Sequence, residues 1–161
     1  MILEKLQGRF APEILASHQD KGDLTVIVRK DKLAEILDYL KNDPDLSFEM
    51  LMDVCGVDYL PKGEKPRFEA VYHLYSLTKN HRLRLRVKVA EEDMTIPSAC
   101  NLWKSADWHE REAFDMFGFI FEGHPNLKRL LLFEGFVGHP LRKDYPMERR
   151  QKIPVPEEKP S

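Results

Sequence analysis

The sequence predicts an α+β fold: one domain of two layers, in which a mixed β-sheet of about five strands carries helices mainly on one face. Three features of the 161-residue chain support it. Alternating apolar residues mark strands, apolar residues at helical spacing mark helices, and a C-terminal part rich in Gly and Pro marks a long irregular segment. The domain is expected to span residues 1–147, and residues 148–161 form a polar, Pro-rich tail, extended or disordered unless bound.

The first predicted elements are a strand and a helix. DLTVIVRK at 23–30 has alternating apolar residues, which is typical of a strand. Over 33–40 the apolar residues recur at i, i+3, i+4 and i+7, with Asp31 as a good N-cap and NDP at 42–44 as the stop. One apolar stripe of this helix should therefore face the sheet.

A β-hairpin is predicted in the middle of the chain. Residues 48–60 suggest a short helical start and an extended end, and PKGEKP at 61–66 suggests an exposed loop. Two strands, 67–77 and 82–90, then flank the turn TKNH. In the second strand the apolar residues take one face and four cations take the other: Arg82, Arg84, Arg86 and Lys88.

This basic strand face has three interpretations. It could bind phosphates as a nucleic-acid platform, although the net charge of -2 and the lack of stacking aromatics on that face argue against it. An acidic patch on a partner protein is a second interpretation. The favoured one is a solvated face that also blunts edge pairing.

Two helices are predicted after the hairpin. Pro97 suits the first turn of a helix through Trp103, and SAD at 105–107 ends it. Asp107 with Glu110 forms a variant of the capping box, so a second helix should begin at Trp108 and end at Gly118.

Composition and motifs limit the classes of function that this chain can have. No apolar run approaches the roughly 18 residues that span a bilayer, and the N-terminus lacks a signal-like stretch, so we expect a chain that is neither exported nor membrane-spanning. Cys55 and Cys100 are expected to be reduced thiols in the core. Glycine fingerprints of nucleotide sites are missing, so any electrons in a redox reaction should be carried by another chain.

The stretch WHEREAFDMFGFIFEGHP at 108–125 concentrates ionisable and aromatic side chains. A zinc site of the HExxH type fails because residue 113 is Ala, which leaves His109 and Glu112 as too few ligands. A carboxylate pair, Glu112 and Asp115, would need a pocket for acid/base catalysis. The favoured interpretation is structural: Arg111 and Asp115 pair at i, i+4 among aromatic rings that the core or a partner covers.

Two Gly-His-Pro motifs, at 123–125 and 138–140, present His124 and His139 in fixed directions. Such histidines could be proton-active near neutral pH. The favoured alternative is that their rings hydrogen-bond to loop backbone.

EREAFDMFGFIFEGHPNLKRLLL followed by GHPLRKDYP closely resembles the signature of the C subunit, the thirty-kilodalton-type subunit, of respiratory NADH:quinone oxidoreductase (complex I). GVDYL at 56–60, FEAVYHLYSL at 68–77 and RLRLRVKV fit the same pattern, and the resemblance covers about 24–147. The sequence departs from it at three positions: the family usually has Asp and Arg where this chain has Asn126 and Lys128, and often Trp in place of Phe136.

The resemblance implies a subunit without catalytic, cofactor-binding or metal-binding residues of its own. FMN, iron-sulfur clusters and quinone would be bound by partner subunits of a complex that passes electrons from NADH to quinone and translocates ions. It implies docking on the forty-nine-kilodalton-type subunit (the D subunit) and on other peripheral-arm subunits, at the cytoplasmic face of the cell inner membrane, with no nucleic acid and with the membrane met only through the complex.

The signature residues are the expected partner interface, with Arg142 and Asp144 predicted to matter more for assembly than for folding. Two alternatives stay open: a stand-alone enzyme that uses His124 or His139 as proton donor, and the equivalent scaffold of a related complex, such as a membrane-bound hydrogenase or a quinone reductase with another donor. The expected interface residues are Glu110, Arg111, Asp115, Phe117, Gly118, His124, Pro125, Arg142, Lys143, Asp144, Tyr145 and Pro146.

Overall fold

A five-stranded sheet with the strand order β1-β2-β5-β4-β3 organises the chain in the computed structural model, which describes residues 1–154. β2 pairs with β5 in parallel and the other neighbours pair antiparallel, so the sheet is mixed as predicted. Two short strands, β6 and β7, form a separate parallel pair. The helices and strands are α1 (Ile2–Phe10), β1 (Ile14–Asp20), β2 (Asp23–Val28), α2 (Leu33–Asn42), β3 (Met50–Asp58), β4 (Phe68–Ser76), β5 (His81–Val89), β6 (Thr95–Pro97), α3 (Ala106–Phe117) and β7 (Ile120–Glu122).

One face of the sheet carries the core. Apolar residues alternate along β4 and β5 and meet the apolar stripe of α2, as the helical spacing predicted. α1 and α3 add side chains to the same cluster, so the α+β prediction of helices mainly on one face is confirmed. The opposite sheet face, called the open face below, carries Asp53, Cys55, Glu69, Val71, His73, Arg82, Arg84, Arg86 and Lys88.

The basic strand on the open face is less solvated than expected. Glu69 is fully buried beside it, and its carboxylate binds Arg86 Nε at 2.6 Å and Lys88 Nζ at 2.6 Å. Tyr59 donates its hydroxyl to the same carboxylate at 3.0 Å. Arg82 lies over the ring of Tyr75, 5.5 Å from the centroid, so the expectation that no aromatic shares this face is wrong.

Several local predictions are wrong because long-range pairing overrides propensity. The predicted helix through 97–103 is instead the strand β6 followed by turns, since 95–97 pair with β7. The predicted helical start of 48–60 belongs to β3, which pairs with β4 along its length. The prediction missed both α1 and β1. At α2 the N-cap is Lys32 rather than Asp31, and its side chain makes no capping bond.

Cys55 and Cys100 are both free thiols, as expected. Cys100 packs half-buried against the core. Cys55 lies on the open face instead, so its assignment to the core is wrong. Among residues 1–154, no helix combines the length and apolar character needed to cross a bilayer. The second half of the predicted tail, 155–161, lies outside the described residues.

Gly56 in β3 provides a test of the core packing. A Cβ at this position would lie 2.5 Å from Phe117 Cδ2 and 2.7 Å from Phe119 Cε2, and both rings are buried. Gly56→Ala should therefore lower the free energy of unfolding by about 1 to 3 kcal/mol, because the rings must move. Urea denaturation of the purified chain measures the change.

The matched control is Gly8→Ala in α1, where an added Cβ meets nothing within 4 Å. It should stabilise the chain by about 0.5 to 1 kcal/mol through helix propensity. Equal effects of the two substitutions would contradict the packing of α3 on β3.

Candidate functional site

A buried carboxylate fixes the irregular C-terminal segment onto α3. Asp115 is 0% exposed and its Oδ1 accepts a hydrogen bond from Arg129 Nη1 at 2.6 Å. Its Oδ2 accepts the backbone N–H groups of Leu130, Leu131 and Leu132 at 3.1, 2.8 and 2.9 Å. Burial by itself raises the pKa of Asp115, but Arg129 and the three N–H groups outweigh it and lower the pKa below its usual range. We call residues 123–154 the arm.

Arg111 is not the partner of Asp115, so the predicted i, i+4 pair is wrong. Its guanidinium donates to the carbonyl of Lys128 at 3.1 Å and to that of Arg129 at 3.1 Å. It also lies over the ring of Trp108, 5.2 Å from the centroid. Arg111 and Asp115 therefore bind the same stretch of the arm, one through its carbonyls and the other through its N–H groups.

The second Gly-His-Pro motif caps the C-terminal end of α3. The last carbonyls of a helix have no partner within the helix. Here His139 Nδ1 donates to the carbonyl of Asp115 at 3.0 Å, the N–H of Leu141 to that of Met116 at 3.1 Å, and Arg142 Nε to that of Phe117 at 2.6 Å. The arm thus supplies the donors that the helix end requires.

Gly118 permits this close approach. It ends α3 in the left-handed conformation, with φ of 86°, as predicted. A Cβ there would lie 2.7 Å from His139 Nε2 and 2.8 Å from Arg142 Nη2. Both the backbone conformation and the space therefore favour glycine.

A second anchor joins the arm to the sheet. Arg67 forms a two-bond pair with Asp58, at 2.9 Å through Nε and 2.7 Å through Nη2, and its Nη2 lies 2.9 Å from Asp144 Oδ1. Glu91 lies 2.6 Å from Nη1 of the same guanidinium. The N–H of Lys143 donates to Asp58 Oδ2 at 2.8 Å. Sequence reasoning missed Arg67, because its partners come from distant parts of the chain.

Glu110 is fully buried and holds the loop before α3. Its carboxylate accepts hydrogen bonds from Ser98 Oγ at 2.6 Å and from the N–H of Ala99 at 2.6 Å, and burial raises its pKa. The predicted capping box with Asp107 is wrong, because α3 begins at 106 and its N-cap position is Ser105.

The first Gly-His-Pro motif contacts the start of α3. His124 Nδ1 accepts the N–H of Asn126 at 3.0 Å, which leaves Nε2 to donate to the carbonyl of Asp107 at 3.1 Å. His139 likewise binds a backbone carbonyl, and burial lowers its pKa. The expected bond to loop backbone is therefore found for His124, through Asn126, whereas the backbone partner of His139 lies in α3.

The structure gathers the expected interface residues where α3 meets the arm, but at different depths. Glu110, Asp115, Phe117 and Gly118 are buried; the last three lie where the arm meets the end of α3, and Glu110 holds the loop before the helix. Half-buried members are Arg111, His124, Arg142 and Tyr145, and exposed ones are Pro125, Lys143, Asp144 and Pro146.

Five large apolar side chains are exposed along the arm. The sequence patterns did not point to them. Their exposed fractions are 62% for Leu131, 58% for Val137, 49% for Leu141, 101% for Met147 and 73% for Ile153.

The fold and these contacts define an α+β domain whose C-terminal arm is anchored to a helix and to the sheet and carries exposed apolar side chains. The family model described as "Respiratory-chain NADH dehydrogenase, 30 Kd subunit" matches residues 26–151. A protein named as the C subunit of NADH-quinone oxidoreductase, from Roseiflexus sp. (strain RS-1), is 49% identical over 146 residues, which cover 91% of this chain and 83% of that protein. A protein of the same name from Citrifermentans bemidjiense is 47% identical over 150 residues, covering 93% and 91%. The chain belongs to the family of thirty-kilodalton subunits of the respiratory-chain NADH dehydrogenase.

Two solved structures share the fold. A trypsin-resistant fragment of Nqo5 is 36% identical with a TM-score of 0.69, and the match covers 79% of this chain and all of that one. A chain of an archaeal membrane-bound sulfane sulfur reductase matches with a TM-score of 0.74 over 99% of this chain and 97% of its own. At 20% identity, the second likeness shows the fold alone.

Asp115→Asn tests the first anchor. Removal of the charge leaves Arg129 without its partner and the three N–H groups with a poorer acceptor, so the free energy of unfolding should fall by about 3 kcal/mol. Chemical denaturation measures this loss. The control is Glu112→Gln, an exposed carboxylate on the same helix, which should change stability by less than about 0.5 kcal/mol.

A double variant, Asp115→Asn with Arg129→Gln, sharpens the test. It should lose less stability than the sum of the two single variants, since the two residues share one interaction. Additive losses would show that the pair is not coupled.

Asp58→Asn tests the second anchor through its pH dependence. Burial by itself raises the pKa of Asp58, but Arg67 and the N–H groups of Lys143 and Leu60 lower it from 3.8 to about 2. Because the folded pKa lies below the unfolded one, this stabilisation is complete above about pH 4 and is lost as the pH falls towards 2. The wild type should exceed the variant in unfolding free energy by about 2 kcal/mol at pH 7, from the 1.36 kcal/mol per pKa unit.

Denaturation curves at several pH values give the result. The difference between the two proteins should shrink as the pH falls from 4 and nearly vanish near 2. A difference that stays constant across this range would show that the Asp58 charge does not hold the arm.

Proposed function

We propose that this chain is a structural subunit of the peripheral arm of proton-translocating NADH:quinone oxidoreductase and that it docks on the forty-nine-kilodalton-type subunit through its C-terminal arm. Partner subunits bind FMN, the iron-sulfur clusters and quinone, and this chain supports electron transfer by holding them in place. The complex, with this chain on its peripheral part, lies at the cytoplasmic face of the cell inner membrane. Membership of the family of thirty-kilodalton subunits supports the assignment of this chain to that complex.

The observation that carries the docking surface is the exposed apolar side chains on an arm that is otherwise fixed. Interface cores are formed by apolar side chains that leave water on association. The two anchors, at Asp115 and at Arg67, hold the arm in one conformation before any partner binds. Association then costs less conformational entropy than the ordering of a free segment.

Four of the signature residues are exposed on the arm and are available to a partner. They are the charged Lys143 and Asp144 and the prolines Pro125 and Pro146. Buried members such as Asp115 act indirectly, because they set the position of the arm.

No observation favours a stand-alone enzyme. The ring of His124 is bound at both nitrogens, and His139 is bound to a carbonyl at the end of α3. A scaffold role in a related complex with another electron donor makes the same use of the arm, and the activity that purifies with the chain separates it from the proposal.

Co-purification tests the proposal. The chain is tagged at its N-terminus, membranes are solubilised gently, and the eluate is examined for a forty-nine-kilodalton-type subunit and for NADH:quinone reductase activity. Both are expected. A partner of this type whose activity requires another donor would indicate the related complex, and a chain that elutes alone would overturn the proposal.

The double variant Leu131→Ser with Val137→Ser tests the docking surface. Both side chains are mostly exposed, so the melting temperature of the isolated chain should stay within about 2 °C of the wild type. Association with the forty-nine-kilodalton-type subunit should weaken by about tenfold or more, the effect of losing about 1.4 kcal/mol of interface energy. Quantitative co-purification and thermal melts measure the two effects.

Leu77→Ser is the matched control, since Leu77 is 60% exposed in the turn between β4 and β5. It follows the end of β4 that lies farthest from Arg67, roughly 30 Å along the strand at 3.3 Å per residue. Equal weakening by the control would place the docking surface elsewhere.

A further inference from the structure

Three metal-ligating side chains converge on the open face where β3 and β4 pair, away from the arm, and a fourth from α3 contacts one of them. Asp53 and His73 face each other directly in the β3–β4 register, and Cys55 follows two residues after Asp53 on the same face. One ligand atom from each of these three lies within 4.8 Å of the other two. His109 of α3 adds a ring, with its Nδ1 3.2 Å from Asp53 Oδ1.

We propose that Asp53, Cys55, His73 and His109 form a binding site for Zn²⁺. Thiolate, imidazole and carboxylate are the ligands that zinc takes in proteins, at about 2.0 to 2.3 Å and in tetrahedral geometry. Mg²⁺ and Ca²⁺ prefer oxygen ligands, which only Asp53 offers here. The backbones of all four residues are held in regular elements, β3, β4 and α3.

The charges balance for a divalent cation. The Asp53 carboxylate and the Cys55 thiolate together supply two negative charges. The Cys55 proton is released on binding, because the thiolate is the ligand. The imidazoles of His73 and His109 bind a metal ion in their neutral form and so add no charge.

A cationic side chain and an open cleft lie beside the proposed ligands. Arg84 donates to Thr25 Oγ1 at 3.3 Å, and its positive charge opposes cation binding, against the two negative charges of the ligands. A cleft of about 350 Å³ lined by Asp53, His73 and Arg84 opens beside the ligands, which gives the ion a path from solvent.

A second cluster of possible metal ligands in the same chain serves as a comparison for the proposed site. Cys100, Glu110 and His124 also lie close together, yet the Glu110 carboxylate already accepts bonds from Ser98 and Ala99 and is fully buried. That cluster is structural. Cys100→Ser is therefore the matched control for Cys55→Ser.

Titration of the full chain, kept reduced, with Co²⁺ as a spectroscopic substitute for Zn²⁺ tests the site. One equivalent should produce a thiolate-to-cobalt charge-transfer band that Zn²⁺ removes, and Cys100→Ser should keep it. Cys55→Ser should abolish it. His73→Ala should weaken binding by more than about 100-fold, since loss of an outer-shell partner alone costs about 10- to 100-fold.

His109→Ala should lower the affinity by at least about tenfold while the band persists at saturation. Unchanged affinity would remove His109 from the site. A band that survives Cys55→Ser, or that Cys100→Ser abolishes, would overturn the proposal.

A second measurement uses the wild-type chain and does not depend on the folding of variants. Zn²⁺ should slow alkylation of Cys55 by iodoacetamide relative to Cys100, as followed by peptide mass spectrometry. It should also raise the melting temperature in proportion to the logarithm of free Zn²⁺. Equal alkylation of both thiols with and without Zn²⁺ would contradict the site.

Discussion

The arm of this protein depends on the charge of Asp115. An anion in the last turn of a helix is unfavourable for the helix dipole, and burial adds a desolvation cost. The pair with Arg129 and the three N–H groups of 130–132 offset both. In return, the arm caps the carbonyls of 115–117, so the helix end and the arm stabilise each other.

The anchor at Arg67 fixes the arm to the sheet, as Asp115 fixes it to α3. Asp58 ends β3, Arg67 precedes β4, and Asp144 belongs to the arm, so one guanidinium connects three separate segments. The arm is therefore held against both the helix and the sheet. Buried polar groups determine where the arm lies, and its exposed apolar groups remain for association.

Sequence periodicity predicted the elements whose sequence signal lies within a few neighbouring residues. α2, β2, β5 and the end of α3 at Gly118 were predicted because their apolar spacing or turn chemistry lies within a few residues. β1 escaped prediction because nearly all of its side chains are exposed and show no alternation. The i, i+4 spacing pointed Asp115 to Arg111, whereas its partner is Arg129, on the arm. Ligands such as Cys55 and His73 come from different strands, and their proximity depends on strand register.

The two Gly-His-Pro motifs act on opposite ends of one helix. His124 binds the carbonyl of Asp107 and His139 that of Asp115, which are about 12 Å apart at 1.5 Å per residue. All three departures from the family pattern fall between the two motifs, and the contacts of the first two are compatible with these replacements. Asn126 contributes its backbone N–H, and Lys128 contributes its carbonyl, so neither contact depends on the side chain that differs. These two contacts of the arm are made by its backbone, so they tolerate a change of side chain.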